Sequence, residues 1–91
     1  MTKVQVVYTK MCPHCPAAKE LFRDLKKEFK FDYEEVDATT DEGQKIAQKH
    51  NIMAVPSIII NDRLTFVGVP SREKAIQAIK SKIKSQKSKV R

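Results

Sequence analysis

Cys12 and Cys15 are the only two cysteines of the chain, set two residues apart in the run Cys12-Pro13-His14-Cys15. Thiols this close can join as a disulfide, and as thiolates they can attack a disulfide elsewhere. The loop they would close is too short to remove much entropy from the unfolded chain, so a bridge there serves chemistry more than stability. In a reducing compartment such a pair is catalytic or metal-binding more often than structural.

The neighbouring elements decide what the pair can do. Lys3 to Tyr8 is rich in β-branched residues, too short for a helix, and reads as a buried strand that stops at Thr9-Lys10. From Ala17 to about Lys30, the residues Ala18, Leu21, Phe22, Leu25 and Phe29 recur at three- and four-residue spacing and predict an amphipathic helix. Cys12 thus falls between strand and helix. The reading makes it the N-cap, with Pro13 at the first helical position, where no N–H is needed. The positive end of a helix dipole favours a thiolate, and Lys10 and a protonated His14 would add charge. Lys10, Pro13 and His14 are therefore candidates for tuning the acidity of Cys12. Cys15, about one turn further in, is expected to be sheltered, which gives an exposed attacker and a protected resolver. Pro16 lacks the N–H that would reach the Cys12 carbonyl, so a loosened first turn is expected.

A metal-carrying module is the alternative from another class of function. Zinc needs four ligands, and besides the two cysteines the chain has only His14 between them and His50 far along. A metal role would then need a dimer-bridging zinc or a copper carrier. His50 reads as a packing residue at the end of a second helix, and no metal ligand is expected in the site.

The rest of the chain supplies a scaffold. Phe31 to Asp37 mixes aromatic and β-branched residues with acids, as a strand near a sheet edge does. Thr39, Thr40 and Asp41 offer N-caps for a short helix that carries Ile46, Ala47 and His50, contains Gly43 and ends near Asn51. Ser57 to Ile60 and Leu64 to Val67 flank a tight Asn61-Asp62-Arg63 connection, which predicts a hairpin closed by Gly68. Ser71 is an N-cap for a last helix with the stripe Ala75, Ile76, Ile79 and Ile83. The order β-α-β-α-β-β-α makes an α/β fold: a mixed four-stranded sheet with helices on both faces. One domain over residues 1–83 and a basic tail over 84–91 are expected.

The net charge is +7 over 91 residues, and Lys80, Lys82, Lys84, Lys87, Lys89 and Arg91 supply six positive charges with no acid among them. Lysine-rich ends usually keep a protein solvated, and no aromatic residue follows Phe66 to stack on bases, so no nucleic-acid partner is expected. Met1 to Val7 has no secretory pattern, and the apolar run Ile58 to Ile60 is far below the roughly 20 residues that span a bilayer. These features predict a cytoplasmic location and no membrane partner.

Tyr8-Thr9-Lys10-Met11-Cys12-Pro13-His14-Cys15-Pro16, Ile52-Met53-Ala54-Val55-Pro56-Ser57 and Phe66-Val67-Gly68 resemble the thioredoxin/glutaredoxin superfamily. The likeness runs from about Val4 to Ile83 and is nearest to the small, glutaredoxin-length thioredoxins of archaea. It implies a thioredoxin-like fold, attack by Cys12 and resolution by Cys15. It also implies a cis peptide before Pro56, beside the cysteines, with the backbone of Val55 pairing with a substrate strand.

Several residues depart from the better-known branches. No tryptophan precedes Cys12, no Gly-Pro separates the cysteines, and the first strand has no acid to match the buried aspartate of ordinary thioredoxins. The glutathione-holding glycines of glutaredoxins are replaced by Gly68-Val69-Pro70-Ser71-Arg72-Glu73, which argues against glutathione. His14 resembles the periplasmic disulfide oxidases, whose inserted helical domain is missing.

The resulting expectation is a thiol–disulfide oxidoreductase of cell redox homeostasis and electron transport that reduces protein disulfides. Its partners are disulfide-bearing client proteins and a thioredoxin-reductase-type electron donor. A monomer with no bound cofactor suffices, and a glutathione-dependent glutaredoxin is the rival enzyme.

Overall fold

A computed structural model describes residues 2–88 of the chain, with side-chain surroundings for residues 2–81. Strand β1 (Lys3–Tyr8) lies parallel to β2 (Asp32–Asp37), and helix α1 (Cys15–Glu28) crosses between them. After α2 (Asp41–Lys49), strands β3 (Ser57–Ile60) and β4 (Arg63–Val67) form the hairpin, and α3 (Arg72–Ser88) follows. The sheet order is β2-β1-β3-β4, with β3 antiparallel to both β1 and β4. The expected mixed sheet is therefore present, with β2 at an edge.

Alternation along the strands builds two cores. Val4, Val6, Ile58 and Ile60 point to one face and pack with Ala18, Phe22 and Leu25 of α1 and Ala75 and Ile79 of α3. Val7, Val36 and Ile59 point to the other, where Ile46 of α2, Ile52 and Val55 cover them. Phe22 and Leu25 are fully buried, and each contributes about 1.5–3 kcal/mol relative to an exposed position. Ile83 of the expected stripe lies outside the residues with described side chains. The backbone of α3 continues through Ser88, so the boundary drawn at residue 83 falls inside that helix.

Local chemistry explains the turns. Thr40 caps α2 by accepting from the Gly43 N–H at 3.0 Å. Gly43, which weakens a helix by propensity, is required here because a β-carbon would come within 1.9 Å of the Asp37 carbonyl oxygen. Asn61 and Asp62 both take positive φ, 51° and 65°, which suits the two-residue hairpin turn. The Ser71 hydroxyl accepts from the Lys74 N–H at the start of α3. Arg72 pairs with Glu28 across the α1–α3 face.

Candidate active site

Beyond Tyr8 the chain turns through Thr9 to His14, and the Cys12 N–H donates to the Thr9 carbonyl at 3.3 Å. Helix α1 begins at Cys15 with His14 as N-cap, so the expectation that Cys12 caps the helix is corrected. Pro16 is the reason. It has no N–H for the Cys12 carbonyl, and the first backbone bond of the turn runs from the Ala18 N–H to the His14 carbonyl at 3.3 Å. In place of a loosened first turn at Cys12, residues 12–14 lie outside the helix, and Pro16 stands within its first turn, where its missing N–H leaves no helical bond unmade.

Cys12 and Cys15 form a disulfide with their Cα atoms 5.4 Å apart. Cys15 is 1% exposed, whereas Cys12 is half-buried and reaches solvent. The Cys12 sulfur is thereby bonded to the first residue of α1, at the positive end of the helix, and the first turn carries no acidic residue to offset that field. Lys10, Pro13 and His14 share the connecting loop and are all exposed.

A second segment is brought to the same end of the sheet. Val7 lies opposite Ser57 in the β1–β3 register, so Pro56 stands beside the end of β1, where the cysteine loop leaves. Pro56 is buried, and the Val55–Pro56 bond is cis, as the resemblance implies. The Ser57 hydroxyl donates to the Ala54 carbonyl at 2.6 Å and fixes the turn. The Gly68 N–H donates to the Pro56 carbonyl at 2.7 Å, which ties a third segment to the second. Val55 packs on the Val7 core. Among the described residues, neither its N–H nor its carbonyl makes a backbone hydrogen bond.

Residues not named from sequence also border the site. The Lys19 ammonium lies 3.4 Å from the centroid of the Tyr8 ring, a cation–π contact one helical turn beyond Cys15. The four-residue spacing of Cys15 and Lys19 is the signal that could have found it. Asp37, at the end of β2, is held below the usual carboxylate range. The Thr39 hydroxyl is the main cause, then the Thr39 N–H, with Lys10 and Lys19 adding less and partial desolvation opposing them. Met11 and Met53 are almost fully exposed.

His50 is elsewhere. Its side chain is 9% exposed, with Nε2 3.4 Å from Asp62 in the hairpin turn. Asn61 of that turn bonds to Lys3 at the start of β1, the end of the strand remote from Cys12. His50 and the cysteines are not brought together. Among the described residues, no group of three or more His, Cys, Asp or Glu side chains could hold a metal ion, and no helix is long and apolar enough to cross a membrane.

This arrangement has counterparts. The thioredoxin domain family model matches residues 2–80. A thioredoxin of Methanocaldococcus jannaschii is 36% identical over 81 residues, covering 89% of this chain and 95% of the relative. A probable thioredoxin of Methanothermobacter marburgensis is 40% identical over 85 residues, covering 91% and 98%. Among solved structures, a protein disulfide oxidoreductase from Aeropyrum pernix superposes with a TM-score of 0.71 at 31% identity, covering 92% of this chain but 38% of that one. A mutant thioredoxin from Halobacterium salinarum superposes with a TM-score of 0.75 at 18% identity, covering 88% and 73%, and shows the shared fold. With the family model spanning most of its length and archaeal relatives matched almost end to end, the chain belongs to the thioredoxin family and is a thiol–disulfide oxidoreductase.

Proposed function

We propose that Cys12 is the attacking thiol and Cys15 the resolving thiol in the reduction of protein disulfides. The observation that carries this is the unequal exposure of the two bonded cysteines, Cys12 half-buried and Cys15 at 1%. In the reduced protein the Cys12 thiolate attacks one client sulfur, a mixed disulfide forms, and the other client sulfur leaves as a thiolate. Cys15 then attacks the Cys12 sulfur, the Cys12–Cys15 bond forms, and the client departs reduced. An outside donor of the thioredoxin-reductase type returns two electrons.

Lys10 and His14 act on Cys12 by charge, and Pro13 by holding the loop that presents it. Val55 and Pro56 form the substrate groove. The unpartnered backbone of Val55 supports this, since an extended client segment could pair with it as an added strand. Residues 1–83 suffice for this work as a monomer, with 84–91 a solvating basic tail, and a cytoplasmic setting would supply the reductant. No bound cofactor takes part.

Electron-donor trials on insulin reduction test the reading. A flavoprotein reductase with a nicotinamide cofactor should sustain turnover. Turnover with glutathione and its reductase alone would instead make the protein a glutaredoxin.

A further inference from the structure

Two methionine side chains stand clear of the surface, one next to Cys12 in sequence and one ahead of the turn at the end of β1. Met11 is 91% exposed and Met53 96%, the highest values among the exposed large apolar residues described. Met11 is joined directly to Cys12, and Met53 precedes the Ala54–Pro56 turn at the end of β1. Val67 and Val69, also exposed, flank Gly68, whose N–H is bound by Pro56. Exposed apolar side chains therefore occur on each of the three segments gathered at the end of β1 from which the cysteine loop leaves.

Exposed apolar side chains gain when a partner covers them, and an unbranched thioether adapts to partners of different shape. A client whose disulfide reaches the Cys12 sulfur must cover the residue next to it, so contact with Met11 is continuous with the reacting bond. The same exposure opens both thioethers to peroxides. With the cysteines joined, the described chain has no free thiol to react first. Oxygen transfer from hydrogen peroxide forms the S–O bond of a sulfoxide and breaks the O–O bond. The sulfur is oxidised by two electrons, and the peroxide leaves as water.

We propose that Met11 and Met53 are modification sites, converted to sulfoxide by hydrogen peroxide, and that the polar sulfoxides weaken docking of protein disulfides without altering the dithiol chemistry. This rests on Cys12 being the attacking thiol. A client disulfide set in apolar surroundings is the substrate class most affected.

The full-length protein in its disulfide form is treated with hydrogen peroxide, quenched with catalase and mapped by peptide mass spectrometry. It is then reduced and assayed on insulin and on a small aromatic disulfide. At full conversion of Met11 and Met53, kcat/KM for insulin should fall by about threefold to tenfold while the small-disulfide rate holds. In a Met11→Leu/Met53→Leu variant, which retains Met1, the treated and untreated insulin rates should be equal, whatever their value. Resistance of either methionine to oxidation, unchanged insulin kinetics, equal loss in the double variant, or parallel loss of both substrates would overturn the proposal. Failure of the untreated protein on both substrates would instead overturn the assignment of Cys12.

Discussion

The Gly68 N–H donates to the Pro56 carbonyl at 2.7 Å, and residue 68 can do so in this conformation because its φ is +91°. A β-carbon at residue 68 would meet nothing within 4 Å, so only the backbone resists a side chain there. Gly43 is the opposite case, because its β-carbon would collide with the Asp37 backbone. Gly68→Ala should destabilise the fold by about 1–2 kcal/mol and lower kcat/KM for protein disulfides by shifting the Pro56 turn. Gly43→Ala should destabilise it by about 3 kcal/mol as the start of α2 is pushed off β2. Urea unfolding of both variants checks the order, and equal losses would contradict it.

Asp37 supplies a prediction in pH. Its carboxyl is held below the usual range, first by the Thr39 hydroxyl. A depressed carboxylate stabilises the fold fully above its unfolded pKa, about 4, and that contribution is lost as pH falls through the folded value. Thr39→Val should raise the Asp37 pKa toward the ordinary value and leave the protein less stable than the parent at neutral pH. The gap should close at low pH, once Asp37 is protonated in both. Carboxyl-carbon NMR and urea unfolding across the acid range measure the two effects. A stability gap independent of pH would contradict the assignment.

His14 caps α1 with no side-chain hydrogen bond to the helix, and its proposed role is to act on Cys12 by charge. Stabilising a thiolate stabilises the reduced pair and makes the disulfide more oxidising. His14→Ala should therefore raise the Cys12 pKa and make the reduction potential more negative. Thiolate absorbance and equilibrium titration against a reference redox couple report both, and an unchanged potential would remove the tuning role.

The basic tail should be dispensable for chemistry. Deleting 84–91 should leave insulin reduction within about a factor of two. A larger, salt-sensitive loss would show that the tail binds a client or the reductase.

What the residues alone reveal depends on the range of each interaction. The β1 run, the α1 stripe and the cysteine spacing are local patterns, and each element appears where the residues place it. The hairpin turn is readable because Asn61 and Asp62 tolerate positive φ. The start of α1 is not, because Pro13 is acceptable at a first helical position, while the missing donor of Pro16 governs the actual start at Cys15. Gly43 reads as a weakness because its neighbour, the Asp37 carbonyl, is brought to it only by tertiary packing. The exposure of Met53 is unreadable, since an apolar residue before a turn gives no sign of the side on which it will lie.

Trapping of the mixed disulfide tests the division of labour between the cysteines most directly. Cys15→Ser leaves the more exposed thiol in place and removes the proposed resolving thiol, while Cys12→Ser leaves only the buried thiol. Each reduced variant is incubated with a disulfide-bearing client and resolved by non-reducing electrophoresis and mass spectrometry. Cys15→Ser should accumulate a covalent adduct through Cys12 that dithiothreitol dissolves, and Cys12→Ser should form none. Equal trapping by both variants, or trapping through Cys15 alone, would contradict the assignment of Cys12 as the attacking thiol.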